Sequence, residues 1–78
     1  MPTVLLINGY RFFFFMNEHE PIHVHVTKAG KEARIVLVPA IDVSYNRGFK
    51  RAELRDIIDI ILTNYDKLIE SWRNTFGQ

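Results

Sequence analysis

What most restricts the fold of this chain is a change in its hydrophobic period. From Arg51 onward, Leu54, Ile58, Ile61, Tyr65, Leu68, Trp72 and Phe76 recur at steps of three and four, the spacing of one face of an α-helix. That pattern predicts a single long helix over residues 51–76, stopped by Gly77. Ile57, Ile60, Leu62 and Ile69 widen the stripe beyond what one sheet face needs. Before Arg51 the apolar residues come in short runs broken by Asn, Gly and Pro, which is how strands and turns read. One helix can shield only one face of a sheet, so the other face needs an explanation.

Asn8-Gly9 stands between two apolar runs. It is a strong hairpin signal because both residues of such a turn need positive φ, which Asn and Gly adopt at least cost. The strands are expected at about 3–7 and 10–16, with Ile7 facing Tyr10, Leu5 facing Phe12 and Thr3 facing Phe14. Pro21 offers no ladder donor and suits the start of a third strand at 22–27. Lys28-Ala29-Gly30-Lys31 reads as a four-residue turn into a fourth strand at 32–38. This register pairs Val26 with Ala33, Val24 with Ile35 and Ile22 with Leu37, while the reverse face sets His25 opposite Arg34 and His23 opposite Val36. A slip of one residue would turn the histidines into the core, so the pattern itself specifies the pairing. Pro39 to Phe49, with Pro39, Asp42, Asn46 and Gly48 as turn-formers, reads as a connector. The expected class is α+β: a four-stranded, mainly antiparallel sheet of two hairpins with one long C-terminal helix packed on one face.

Seventy-eight residues make one domain, 1–78. Apolar residues at 47% and aromatics at 13% exceed what a small one-sided core absorbs. The reverse face, with Val4, Leu6, Phe13, Phe15 and Val36 around the histidines, would be an exposed apolar patch of the kind that marks an interface. A homodimer or a cognate protein partner is therefore expected on the open sheet face. A net charge of +1 argues against a globally electrostatic nucleic-acid or membrane binder, while a local basic patch keeps RNA and DNA open as ligands. The absence of cysteine excludes disulfides and thiolate chemistry. The apolar runs Val4–Ile7 and Tyr10–Met16 are too short to span a membrane or serve as a signal core, so a cytoplasmic, membrane-free protein is expected.

The stretch Glu18 to Val26 holds all three histidines, with His23 and His25 spaced to share one face of a strand. Together with the opening Met-Pro-Thr, Gly9-Tyr10-Arg11-Phe12-Phe13-Phe14, Tyr45-Asn46-Arg47-Gly48-Phe49 and Glu53-Leu54-Arg55, it makes the chain resemble the bacterial family labelled domain of unknown function 4160. The resemblance spans nearly the whole chain. It implies a small partner gene and a toxin-like component of a type II toxin–antitoxin pair; the family label carries no chemistry. Relatives tend to have Ser where Lys50 stands, an N-cap ahead of Glu53. Lys50 cannot accept the orphan N–H bonds, so helix initiation here falls to the Asn46–Phe49 loop.

Three readings of the polar residues follow. His23 and His25 can act as base and acid toward an RNA phosphodiester, with Arg11 and Arg34 on the same face as phosphate cations; this needs no cofactor. A metal ion held by His19, His23 and His25, or with Glu20 completing the set, is the alternative, and plain interface histidines are the blander one. Arg47, Lys50, Arg51 and Arg55 gather where the helix begins. Cations oppose the macrodipole there, which points to an anion such as phosphate, or else to a solvated face with Arg55 paired to Asp59. The function expected is the toxin-like member of the pair, RNA-targeting if enzymatic. The competing class is a non-enzymatic module that binds a partner protein or DNA.

Overall fold

A computed structural model describes residues 3–77. Five strands, β1 (Thr3–Ile7), β2 (Tyr10–Phe13), β3 (His23–Lys28), β4 (Lys31–Val36) and β5 (Asp42–Arg47), precede two helices, α1 (Arg51–Thr63) and α2 (Tyr65–Phe76). The strands form one antiparallel sheet in the order β1-β2-β3-β4-β5. The α+β class stands, but the expected four strands and one long helix are corrected to five strands and two helices.

Both corrections have local causes. β5 occupies the stretch expected as a connector. All six of its residues are exposed, so no buried alternation marks it, and a bulge at Ser44 breaks its pairing with β4 between Arg34 and Ile35. The helix breaks at Asn64, whose φ of −114° and ψ of 21° leave the helical well. Two side chains bond back onto the preceding turn there: Thr63 Oγ1 donates to the Asp59 carbonyl at 3.0 Å and Asn64 Nδ2 to the Ile60 carbonyl at 2.9 Å. Such back-bonding competes with the regular ladder and bends helices.

The first hairpin closes at Asn8-Gly9, with φ of 53° and 81°, and pairs Ile7 with Tyr10 and Leu5 with Phe12 as expected. Beyond that a bulge shifts the register, so Thr3 meets Phe13 instead of Phe14. The second hairpin keeps the expected pairs Val26–Ala33, Val24–Ile35, His25–Arg34 and His23–Val36. Its turn is tighter than four residues, because Lys28 and Lys31 themselves pair. α1 starts with half a capping box: the Glu53 carboxylate accepts the Lys50 backbone N–H at 3.0 Å, and the Lys50 ammonium, having no lone pair, returns nothing. The Asn46 side chain braces the approach, accepting the Phe49 N–H at 3.1 Å and donating to its carbonyl at 3.0 Å.

Tyr10, Phe12, Val24, Val26, Ala33 and Ile35 from one sheet face join Ile57, Ile61, Leu68 and Trp72 from the helices in a single core. Each large side chain buried there contributes on the order of 1.5–3 kcal/mol. The reverse face was expected to be free of helix, and at one point it is not. β2 ends at Phe13, before the expected Met16, and His23 at the start of β3 lies against Trp72 of α2 with ring centroids 5.1 Å apart. The open face begins beyond that contact.

Candidate functional site

The histidine stretch builds a compact cluster. Asn17 to Pro21 leaves the sheet, its Glu20–Pro21 bond cis, and brings Glu18 back over β3. One oxygen of that carboxylate, Oε2, lies 2.8 Å from His23 Nε2 and 2.7 Å from His25 Nε2. His23 Nδ1 lies 2.7 Å from the Pro21 carbonyl. A carbonyl only accepts, so that nitrogen carries the proton and Nε2 faces Glu18. The cluster sits in an aromatic shell: Phe13 stacks on His25 with centroids 5.5 Å apart, Phe15 meets it edge-on at 4.3 Å, and Trp72 covers His23. His23 is 3% exposed, and the side chains of His25 and Glu18 are 14% and 13% exposed. Burial holds His25 below the ordinary histidine range; the hydrogen bond and charge of Glu18 oppose this, and His23 and Arg34 add to it.

Glu18, His23 and His25 each bring a donor atom to within 4.8 Å of the others, the one such group found among the described residues. His19, the third ligand of the expected metal set, is exposed, and Glu18 takes its place.

Around the cluster the reverse face has a definite order. Phe13, His25, Arg34 and Tyr45 are register partners on β2, β3, β4 and β5, so they form one row across the sheet. Leu6 and Phe15 flank it, exposed. Arg34 donates to Ser44 Oγ at 2.8 Å, and Arg11 donates from Nε to Thr3 Oγ1 at 2.7 Å with its guanidinium over Phe13. The four candidate catalytic residues therefore share a face; the two histidine rings meet, Arg34 stands beside His25 as its register partner, and Arg11 lies apart over Phe13.

Comparison with known families matches residues 9–73 to the model of the domain of unknown function DUF4160. The chain belongs to that family. No curated protein and no solved structure shows significant similarity to it.

The four candidate anion-binding residues do not converge in the same way. Arg47 pairs with Glu32 at 2.9 Å across β4 and β5, on the open sheet face, whereas Arg51 and Arg55 are exposed on α1 beside Leu54 and Ile58. Lys50 is the exposed N-cap. Sequence reasoning missed Glu18 as a member of the site. It heads the same histidine stretch, but it lies in a turn, where no period says which way a side chain points.

Proposed function

We propose that this chain is the toxin-like member of a bacterial type II toxin–antitoxin pair, acting in the cytoplasm, and that its open sheet face docks a cognate partner protein. The observation that carries the docking is the row Phe13, His25, Arg34 and Tyr45, buried at Phe13 and exposed at Tyr45, with the exposed Leu6 and Phe15 beside it. Aromatic residues and arginine are the types enriched at the energetic centres of interfaces. Charge selects the occupant. Among the charged residues that the paired strands place on this face, Arg11, Arg34 and Arg47 outnumber Glu32 and Asp42. A segment with apolar anchors and acidic side chains would complement the surplus of arginine.

Docking draws more support than RNA cleavage by His23 and His25. Both rings turn Nε2 to Glu18, and Trp72 covers His23, so neither is presented to a phosphodiester, and Arg11 and Arg34 are already engaged.

The test is co-expression with the protein encoded by the neighbouring gene. Expressed alone, the chain should arrest growth, and the neighbour's product should relieve the arrest and co-elute with it. Arg34→Glu and Tyr45→Ala should each weaken the complex at least about tenfold, as loss of a central interface contact does. Absence of both arrest and complex would refute the proposal.

A further inference from the structure

We propose that Glu18, His23 and His25 form a binding site for a divalent transition-metal ion of the Zn²⁺ class. The site shares His25, Phe13 and Phe15 with the proposed docking face, but it does not rest on docking.

Hydrogen-bond accounting comes first. The Pro21 carbonyl fixes a proton of His23 on Nδ1, so Nε2 is the nitrogen turned to Glu18 Oε2, 2.8 Å away, and without a second proton it faces that oxygen with a lone pair. Two acceptors at that separation need a positive centre between them. His25 can satisfy its own 2.7 Å contact with Oε2 by donating from Nε2, which leaves the His23 contact to be bridged by a proton or by a metal ion. An imidazole whose far nitrogen donates to a backbone carbonyl is also how metal-ligating histidines are held, because that bond sets the tautomer and aims the other nitrogen.

The donor set and its spacing support the metal. Two imidazole nitrogens and one carboxylate oxygen form the His₂Glu combination that suits Zn²⁺, with bonds of roughly 2.0–2.2 Å and a fourth position left for water. Tetrahedral bonds of that length separate neighbouring ligand atoms by about 3.3–3.5 Å. The carboxylate oxygen now lies 2.7–2.8 Å from the two nitrogens, so an ion needs each contact to open by less than about 1 Å, which side-chain rotation supplies. Solvent reaches the cluster over Glu18 and His25, the two less buried members. Phe13, Phe15 and Trp72 wall the rest, and such a shell limits water and strengthens the ion's hold on its ligands. Binding would tie the Asn17–Pro21 turn to β3.

The experiment uses the full chain after removal of any affinity tag and dialysis against a chelator. Titration with Zn²⁺, followed by calorimetry and by the emission of Trp72, should show saturable binding of one ion per chain and a higher melting temperature. Co²⁺ in place of Zn²⁺ should give the intense visible bands of a four-coordinate site. Glu18→Ala and His25→Ala should each weaken binding by more than the roughly 10–100-fold that loss of an outer-sphere partner costs, and His19→Ala should leave it unchanged. The cobalt spectrum of the unaltered chain keeps the test decisive should a variant fail to fold. No saturable binding and no cobalt bands would mean a proton-bridged Glu18–His23 pair only, and would overturn the proposal. Loss of binding in the His19 variant, or full affinity without Glu18, would overturn it too. No partner protein is present, so the result stands apart from the docking experiment.

Discussion

Leu62 and Leu68 look alike in the sequence, since both belong to the apolar residues of the C-terminal stretch, yet their positions in the fold differ completely. Leu68 is 0% exposed within the core, whereas Leu62, just before the break at Asn64, is 57% exposed. Leu68→Ala removes a fully buried side chain and leaves a cavity, which costs about 2–5 kcal/mol. A chain of 78 residues at roughly 0.05–0.15 kcal/mol per residue has a total stability of about 4–12 kcal/mol, so this one change removes much of it. At about 4–8 °C per kcal/mol for a domain of this size, the melting temperature falls by roughly 8–40 °C. Leu62→Ala should stay within about 0.5 kcal/mol. Urea unfolding followed by far-ultraviolet circular dichroism, with Trp72 emission as a second probe, measures both. Equal losses at the two positions would refute the difference in burial that the fold assigns to them.

Other outcomes follow from the same contacts. Gly48 has φ of 102°, and a Cβ there would come within 2.8 Å of Lys31 Cγ. Gly48→Ala should therefore destabilise by more than about 1 kcal/mol, read as a shift of the urea midpoint at constant slope. The Lys31 ammonium, then the Lys50 N–H, hold the Glu53 carboxyl below the ordinary glutamate range. The native state then binds fewer protons than the unfolded chain, so the stability Glu53 supplies is complete above the ordinary glutamate range and is lost as pH falls through the lowered folded value. The gap in melting temperature between the wild type and Glu53→Gln should close on acidification, and a gap independent of pH would contradict this. Trp72→Phe should lower stability and alter the cluster it covers, seen as a changed chemical shift of the His23 ring, because the smaller ring leaves part of the site unfilled.

The legible parts of the fold were those where a side-chain period meets a buried face. The β3–β4 register could be read because Val24 and Val26 had to go inward, and the first turn because Asn8-Gly9 permits positive φ in both residues. β5 was hidden by its exposure: with Asp42, Asn46 and Gly48 as turn-formers and no buried alternation, only Val43 and Tyr45 hinted at a strand. The break at Asn64 left the spacing of Tyr65, Leu68 and Trp72 intact, so the period ran through it, and the sole sign was Thr63-Asn64, both able to bond back to carbonyls. The bulge in β1 was equally silent. At the site, His23 and His25 were paired by their spacing, but the arrival of Glu18 and of Trp72 depends on a turn and on the second helix, neither of which a strand pattern encodes.

The two rims of the sheet will behave differently in solution. Both edge strands carry a bulge, but β5 also ends the sheet with an aspartate and an arginine, charges that discourage another chain from adding itself as a sixth strand. β1 ends it with Val4, Leu5, Leu6 and Ile7, a short aliphatic run of the type that templates self-assembly once its neighbours loosen. Partial unfolding should therefore lead to aggregation that grows from the amino-terminal rim, and a single lysine at the exposed Leu6 would suppress it.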